Sequence, residues 1–239
     1  MNAQIRESAA EQGIDIVGFA DLRTLPPEYQ TGYPFGVCLA ISLDRSVISR
    51  LEDGPTKEYY NEYTRVNALL DAAGEKAAGL LKSEGYDAVC IPATSSTIDT
   101  GSDIQDISMK TLSARISHKM IATRAGLGWI GKSDLLVTRE FGTAVRLISV
   151  LTDYPLTAGT PSDESDCGDC RACVDACPAG ALKGETWYAG ISREVLMDVE
   201  SCRKTTRELT QRNFGEAVSI CGRCIIACPW TKKYLTTRP

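Results

Sequence analysis

The chain has 239 residues, with 26 Lys plus Arg against 31 Asp plus Glu, a formal net charge of −5, and 43% hydrophobic, 24% charged and 7% aromatic residues. This is the composition of an ordinary globular protein and excludes disorder, collagen and coiled coil. No apolar run approaches the roughly 20 residues needed to cross a bilayer, and Met1 to Ala10 alternates charged and small residues where an export signal would be basic and then apolar. A cytoplasmic protein without a membrane partner is expected.

The N-terminal part alternates helix and strand. Ile5, Ala9 and Ala10 fall at helical spacing within residues 3–12, and Gly13 ends that segment before the apolar run Ile14 to Ala20. Pro26, Pro27 and Pro34 mark a loop, after which Gly36 to Leu43 has the length and composition of a buried strand. A long helix from Lys57 to Glu84 stops at Gly85, and Tyr86 to Ile91 reads as another strand. This order predicts an α/β domain. Thr94 to Asp106 is rich in Ser, Thr, Asp and Gly, as loops bordering sites are. A helix is predicted from Ser108 to Arg124, then strands at Leu135 to Thr138 and Val145 to Leu151. The polar stretch Thr157 to Asp166 places a boundary between residues 1–160 and 161–239.

Gly126, Gly128 and Gly131 satisfy G-x-G-x-x-G, but a dinucleotide site needs a strand before the glycines and a helix after them, and here the order is reversed. The glycines read instead as a tight turn that lets backbone approach something flat.

Of the ten cysteines, Cys38 and Cys90 sit in predicted buried strands and read as inert hydrophobes. The other eight lie between Cys167 and Cys228. Cys167, Cys170, Cys173 and Cys177 followed by Pro178 give C-x2-C-x2-C-x3-C-P, the bacterial ferredoxin spacing for 4Fe-4S clusters. Three closely spaced thiolates can wrap one cubane, while the fourth, stopped by proline, points to another. Cys221, Cys224 and Cys228 before Pro229 lack one close partner, which Cys202 can supply. The expected sets are Cys167, Cys170, Cys173 and Cys228 for one cluster, and Cys177, Cys202, Cys221 and Cys224 for the other. Zinc normally uses two separated C-x2-C pairs, and disulfides are disfavoured in a cytoplasmic chain. Arg171, Arg203, Lys204 and Arg223 could offset the clusters' negative charge, with backbone N–H groups around Gly168 and Gly222 donating to sulfur. Residues 202–239 carry a net charge of +6, which could meet an acidic partner or nucleic acid, or merely balance an anionic cofactor. With no free ligand position, the module is expected to transfer electrons rather than activate a substrate.

Ala125 to Lys132, Leu135-Leu-Val137, Gly142, Val150 to Asp153 and the cysteine module through Cys228-Pro-Trp230 resemble the epoxyqueuosine reductases and, more distantly, the reductive dehalogenases, with Ile14 to Gly18 a weaker match. The resemblance covers most of the chain. It implies an α/β (α+β) domain like that of a cobalamin-binding reductase, followed by a ferredoxin-like module with two 4Fe-4S clusters. It also implies an external low-potential electron donor, a cobalamin reduced through the clusters, and a small or unknown substrate. Gly126, Gly128, Trp129, Gly131 and Lys132 become candidate corrinoid contacts. The alternative is a non-catalytic carrier that delivers electrons to a partner such as a corrinoid protein.

Two departures shape the expectation. The chain ends eleven residues after Cys228, without the helical-repeat tail associated with tRNA binding in that family, so tRNA is doubtful as substrate. Leu112 stands where the family has an Asp thought to donate a proton. Asp99, Asp103 and Asp106 are nearby in sequence, and His118 is the one side chain that titrates near neutrality, so Asp106 and His118 are the candidate catalytic residues. His118 equally reads as a hydrogen-bonded structural residue, and Trp129, Trp187 and Trp230 as core packing.

Overall fold

The computed structural model describes residues 1–94, 112 and 114–237. In chain order the elements are α1 (Asn2–Glu11), β1 (Ile16–Asp21), a 3-10 turn (Pro27–Tyr29), β2 (Phe35–Ser42), α2 (Arg45–Ile48), α3 (Lys57–Ser83), β3 (Ala88–Ile91), α4 (His118–Arg124), β4 (Trp129–Ile130), β5 (Leu136–Val137), β6 (Val145–Thr152), α5 (Ala172–Asp175), α6 (Arg193–Leu196), α7 (Val199–Phe214), α8 (Arg223–Ala227) and α9 (Pro229–Thr236). No helix among the described residues is long and apolar enough to cross a membrane.

The chain packs as two compact units, each built from three separate segments. One comprises residues 1–41, 66–127 and 146–162; the other comprises residues 42–65, 128–145 and 163–239. This differs from a single cut at residue 160. The cysteine segment is poor in large apolar residues, and α7 buries only Thr206 and Thr210 along its 16 residues. Residues 42–65 and 128–145 supply the missing core, including Leu43, Ile48, Leu51, Trp129 and Leu136. A segment that short of apolar surface needs such a contribution to close a core.

The first unit is organised by a four-stranded sheet in the order β1-β2-β6-β3. β1 pairs antiparallel with β2, and β3 pairs antiparallel with β6. β2 is buried from Phe35 to Ile41, which explains why its sequence runs continuously apolar instead of alternating. Gly13, at φ +74, ends α1, and the following amide of Ile14 reaches back to the Ala9 carbonyl at 3.1 Å, satisfying one of the helix's last carbonyls. Cys38 and Cys90 are both buried, and burial pushes each thiol up to about 12.

The helix read from Ser108 starts ten residues later. Ser117 accepts the Met120 amide at 3.2 Å and caps α4 at His118, while residues 114–117 are not helical. A serine hydroxyl satisfies an otherwise orphaned amide there, and that local bond fixes the start. Residues 108–111 and 113 lie outside the described residues.

His118 uses both ring nitrogens within this unit. Nε2–H donates to the Pro92 carbonyl at 3.0 Å, which leaves Nδ1 to accept from the Ser149 hydroxyl, also at 3.0 Å. Removal from water, aided by the charge of Arg146, lowers its pKa to about 4. The unfolded chain, with a His pKa of about 6.5, therefore binds the proton first. Stability is fully present above pH 6.5 and is lost as pH falls towards 4. Thermal unfolding at pH 7.0 and 5.5 should show His118→Gln losing less stability than the wild type over that step, by about 1 kcal/mol. Equal losses in the two proteins would show that the imidazole is not held neutral.

Candidate metal centres

The cysteines of the second unit are presented by short helices whose ends are themselves cysteines. Cys167 and Cys170 form a turn closed by the Cys170 amide on the Cys167 carbonyl at 3.1 Å, and Cys173 rides on the one-turn helix α5. Gly222, at φ +85, turns the chain into α8, which carries Cys224 and packs against α5. Cys228 both ends α8 and caps α9, with Pro229 at the first helical position, where its missing N–H costs nothing.

Cys167, Cys170, Cys173 and Cys228 surround one cavity of about 180 Å³, whose walls include Gly131, Lys132 and Trp230. One water needs only roughly 10–15 Å³ by such a measure, so this space suits a polynuclear centre rather than a point ion. Among the described residues no three His, Cys, Asp or Glu side chains are set to hold a single ion. The second set converges as well. Cys202 is within electrostatic reach of Cys177 and Cys221, and Cys224 of Cys221, Cys202 and Cys177. Cys224 also feels Cys173 of the first set, so the two groups adjoin.

Burial makes five of these thiols, Cys173, Cys202, Cys221, Cys224 and Cys228, reluctant to ionise. Cys173 and Cys202 are each pushed up to about 11, first by desolvation and then by neighbouring cysteines, and Cys224 is pushed further up by the same causes. Iron binds thiolate, so the cost of ionising the quartet is met only when cationic metal is present, and loading releases protons. The protein softens this cost at Cys228 and Cys221. Desolvation still raises both, but backbone N–H groups of Thr231 and Trp230 point at the Cys228 sulfur, and that of Arg223 at Cys221. These donors are at the starts of α9 and α8, where free amides are available. At Cys228 the donors are residues that the glycine pattern did not single out.

Residues 166–231 match the family described as 4Fe-4S double cluster binding domain. The epoxyqueuosine reductase of Listeria monocytogenes is 31% identical to this chain over 135 residues, covering 54% of this chain and 34% of its own. The chain is similar to curated epoxyqueuosine reductases over about half of its length. It spans about a third of the length of these curated relatives. Among solved structures, one titled for a mechanism of B12-dependent dehalogenation by a reductive dehalogenase shares the fold over 95% of this chain and 31% of its own, at 19% identity and a TM-score of 0.68. An epoxyqueuosine reductase with an epoxyqueuosine-modified tRNA stem loop shares it over 96% of this chain and 65% of its own, at 20% identity and a TM-score of 0.59.

The glycines that carry the resemblance are used by the chain's own backbone. A Cβ on Gly126, at φ +73, would stand 2.3 Å from the Thr160 carbonyl oxygen; one on Gly128, at φ +154, would stand 2.0 Å from that of Val137. Gly128 is thereby required by the β4–β5 hairpin, in which Trp129 pairs with Val137. Gly131 and Lys132 line the thiol cavity. Trp129 is buried and meets Trp230 edge to face at 5.4 Å, and its indole N–H has no acceptor among the described residues. Trp187 is also buried. Asp99, Asp103 and Asp106 lie outside the described residues. His118 is in the first unit, with both nitrogens engaged as described.

The sequence named four cations around the clusters, and Arg171, Arg203 and Lys204 are exposed. Among the described residues, the buried cation on the wall of the cysteine cavity is Lys132, only 6% exposed. Its signal was its place in the Gly131-Lys132 turn, which spacing alone ties to no cysteine.

Gly128→Ala should cost about 2 kcal/mol or more, because both the backbone angle and a rigid carbonyl oppose the methyl group. Gly79→Ala, on the exposed side of α3 with nothing within 4 Å, should instead gain about 0.5–1 kcal/mol. Thermal unfolding of the two variants beside the wild type reads the difference; similar shifts would contradict the close approach at Val137.

Proposed function

We propose that this chain is an iron-sulfur reductase of the epoxyqueuosine reductase type, holding two 4Fe-4S clusters and working with a corrinoid as electron acceptor. The observation that carries the reading is the crossing of the two cysteine motifs. Cys228 of the second motif lines the cavity of Cys167, Cys170 and Cys173, while Cys177 of the first lies with Cys202 and Cys221. When bound, 4Fe-4S clusters supply one-electron transfer at low potential. The chain's own residues hold eight thiolates in two adjoining quartets, surround the first with Trp230, Pro229 and Val137, and direct α9 amides at Cys228.

The corrinoid rests on other support, the shared fold with a structure titled for B12-dependent chemistry. At Gly126 and Gly128 the space a Cβ would take is filled by Thr160 and Val137, and Gly131 and Lys132 line the thiol cavity, so the corrinoid contacts proposed for this turn rest on the resemblance alone. No chemical step is therefore assigned through cobalt. The substrate reading rests on the homologues' name and on the neighbour with a tRNA stem loop, which makes an epoxyqueuosine-modified stem loop the first substrate to test, against the expectation raised by the chain's end.

Anaerobically purified protein should contain iron and inorganic sulfide in equal amounts. In paramagnetic resonance spectra, Cys228→Ser should alter the same centre as Cys170→Ser, and Cys177→Ser the same centre as Cys221→Ser. Zinc in place of iron, or Cys228→Ser pairing with Cys221→Ser, would overturn the assignment.

Titration with cob(II)alamin should give saturable binding and, with a low-potential donor, formation of the Co(I) spectrum. No binding across the series, with both clusters intact, would favour the alternative of an electron carrier.

A further inference from the structure

The turn after β5 is built to meet the start of α9. Thr138 and Gly142 exchange backbone hydrogen bonds of 2.8 and 3.0 Å, and the Thr138 hydroxyl oxygen accepts the Phe141 amide at 3.1 Å. Gly142, at φ +59, lies so close to α9 that a Cβ there would stand 2.6 Å from the Thr231 hydroxyl oxygen. This turn delivers Thr143, whose amide donates to that oxygen at 3.0 Å and whose own hydroxyl oxygen is 3.1 Å from it. Both threonines are buried.

Thr231 is used differently from other threonines on helices of this chain. Thr64, Thr123, Thr206, Thr210 and Thr236 each donate a hydroxyl to a carbonyl three or four residues earlier, the common local bond of a helical threonine. The hydroxyl of Thr231 is bonded instead to a residue 88 positions away in the chain. The other arm of Thr143 reaches back across Cys228: its hydroxyl oxygen stands 3.5 Å from the Ile225 carbonyl oxygen, which also accepts the Cys228 amide at 3.2 Å. Thr143 thus meets the chain on both sides of Cys228, once in α8 and once in α9.

This grip governs where the free amides of α9 point. The first bond of that helix runs from the Lys232 amide to the Cys228 carbonyl at 2.9 Å. The amides of Trp230 and Thr231 precede it and meet no backbone carbonyl among the described residues. Donors left over at a helix start favour an anion at the capping residue, here the Cys228 thiolate. Hydrogen bonds to a ligand sulfur set cluster potential, favouring the more negative, reduced state.

We propose that Thr143 and Thr231 are positioning residues for the cluster held by Cys167, Cys170, Cys173 and Cys228: their bond fixes the junction of α8 and α9, keeps the first amides of α9 on the Cys228 sulfur, and thereby raises that cluster's reduction potential. The inference rests on the two-cluster reading above.

Dye-mediated redox titration of the holoprotein, followed by paramagnetic resonance, tests it. The centres are told apart by which one Cys170→Ser alters. Thr143→Val and Thr231→Val, which keep the side chain's shape and remove the hydroxyl, should each lower the reduction equilibrium constant of the Cys170-sensitive centre at least about threefold, roughly 28 mV at 59 mV per tenfold for one electron, and move the other centre less. Thr143→Ser and Thr231→Ser should retain most of the wild-type value. Should Thr231→Val not load both centres, Thr143→Ala removes the same hydroxyl contact from outside the helix and carries the same expectation. An unmoved or raised constant with both clusters loaded, equal shifts of both centres, or Ser variants that behave like Val would overturn the positioning role alone. Wild-type protein without iron and sulfide would instead overturn the two-cluster reading.

Discussion

Eight thiols gathered close to one another, most of them partly withdrawn from water, form the constraint on which the second unit turns. Iron binds thiolate, and at Cys173, Cys202 and Cys224 both burial and neighbouring cysteines oppose loss of the proton. The arrangement is therefore poorly suited to a metal-free state and well suited to one in which cationic iron offsets the collected charge. Metal loading would therefore release protons and stabilise this unit. The surrounding devices follow from that need: amides of α9 and α8 aimed at sulfur, and a buried lysine on the wall of a cavity of about 180 Å³.

The supporting framework is as specific as the ligands. Gly142, at φ +59, would bring a Cβ within 2.2 Å of the Thr231 amide nitrogen, and the Thr143 amide donates to the Thr231 hydroxyl at 3.0 Å. Thr231 in turn donates its own amide towards Cys228. A cysteine ligand is thus positioned through a threonine pair and a glycine almost ninety residues upstream. At Gly222, a Cβ would meet Leu51 at 2.4 Å, so the turn that presents Cys224 is fitted against a residue from a third segment. These seats explain why residues 42–65 and 128–145 pack with the cysteine segment.

The long helix at Lys57, the buried strand β2 and the cysteine spacing could all be read from sequence, because each depends on neighbours a few positions away: helical periodicity, a continuous apolar run, thiolates that curl about one cluster face. The start of α4 lies later than its pattern suggests. Apolar periodicity ran past Ser117, and only the competing bond from its hydroxyl to Met120 set the boundary. The glycines at 126 and 128 were recognised as demanding close approach, but what approaches is the chain's own carbonyl oxygens, from Thr160 and Val137.

The sequence by itself determined the chemistry available: eight thiols in a ferredoxin pattern, with proline after two of them, within a globular α/β chain. Tertiary structure decided which thiols meet, which segments complete their unit, and which charges accompany them. Spacing constrains only what lies within a turn or two, whereas placing Lys132 beside Cys228 requires the chain to return over nearly a hundred residues. That return is fixed by packing and by backbone approaches that only glycine permits, and neither leaves a local pattern in the sequence.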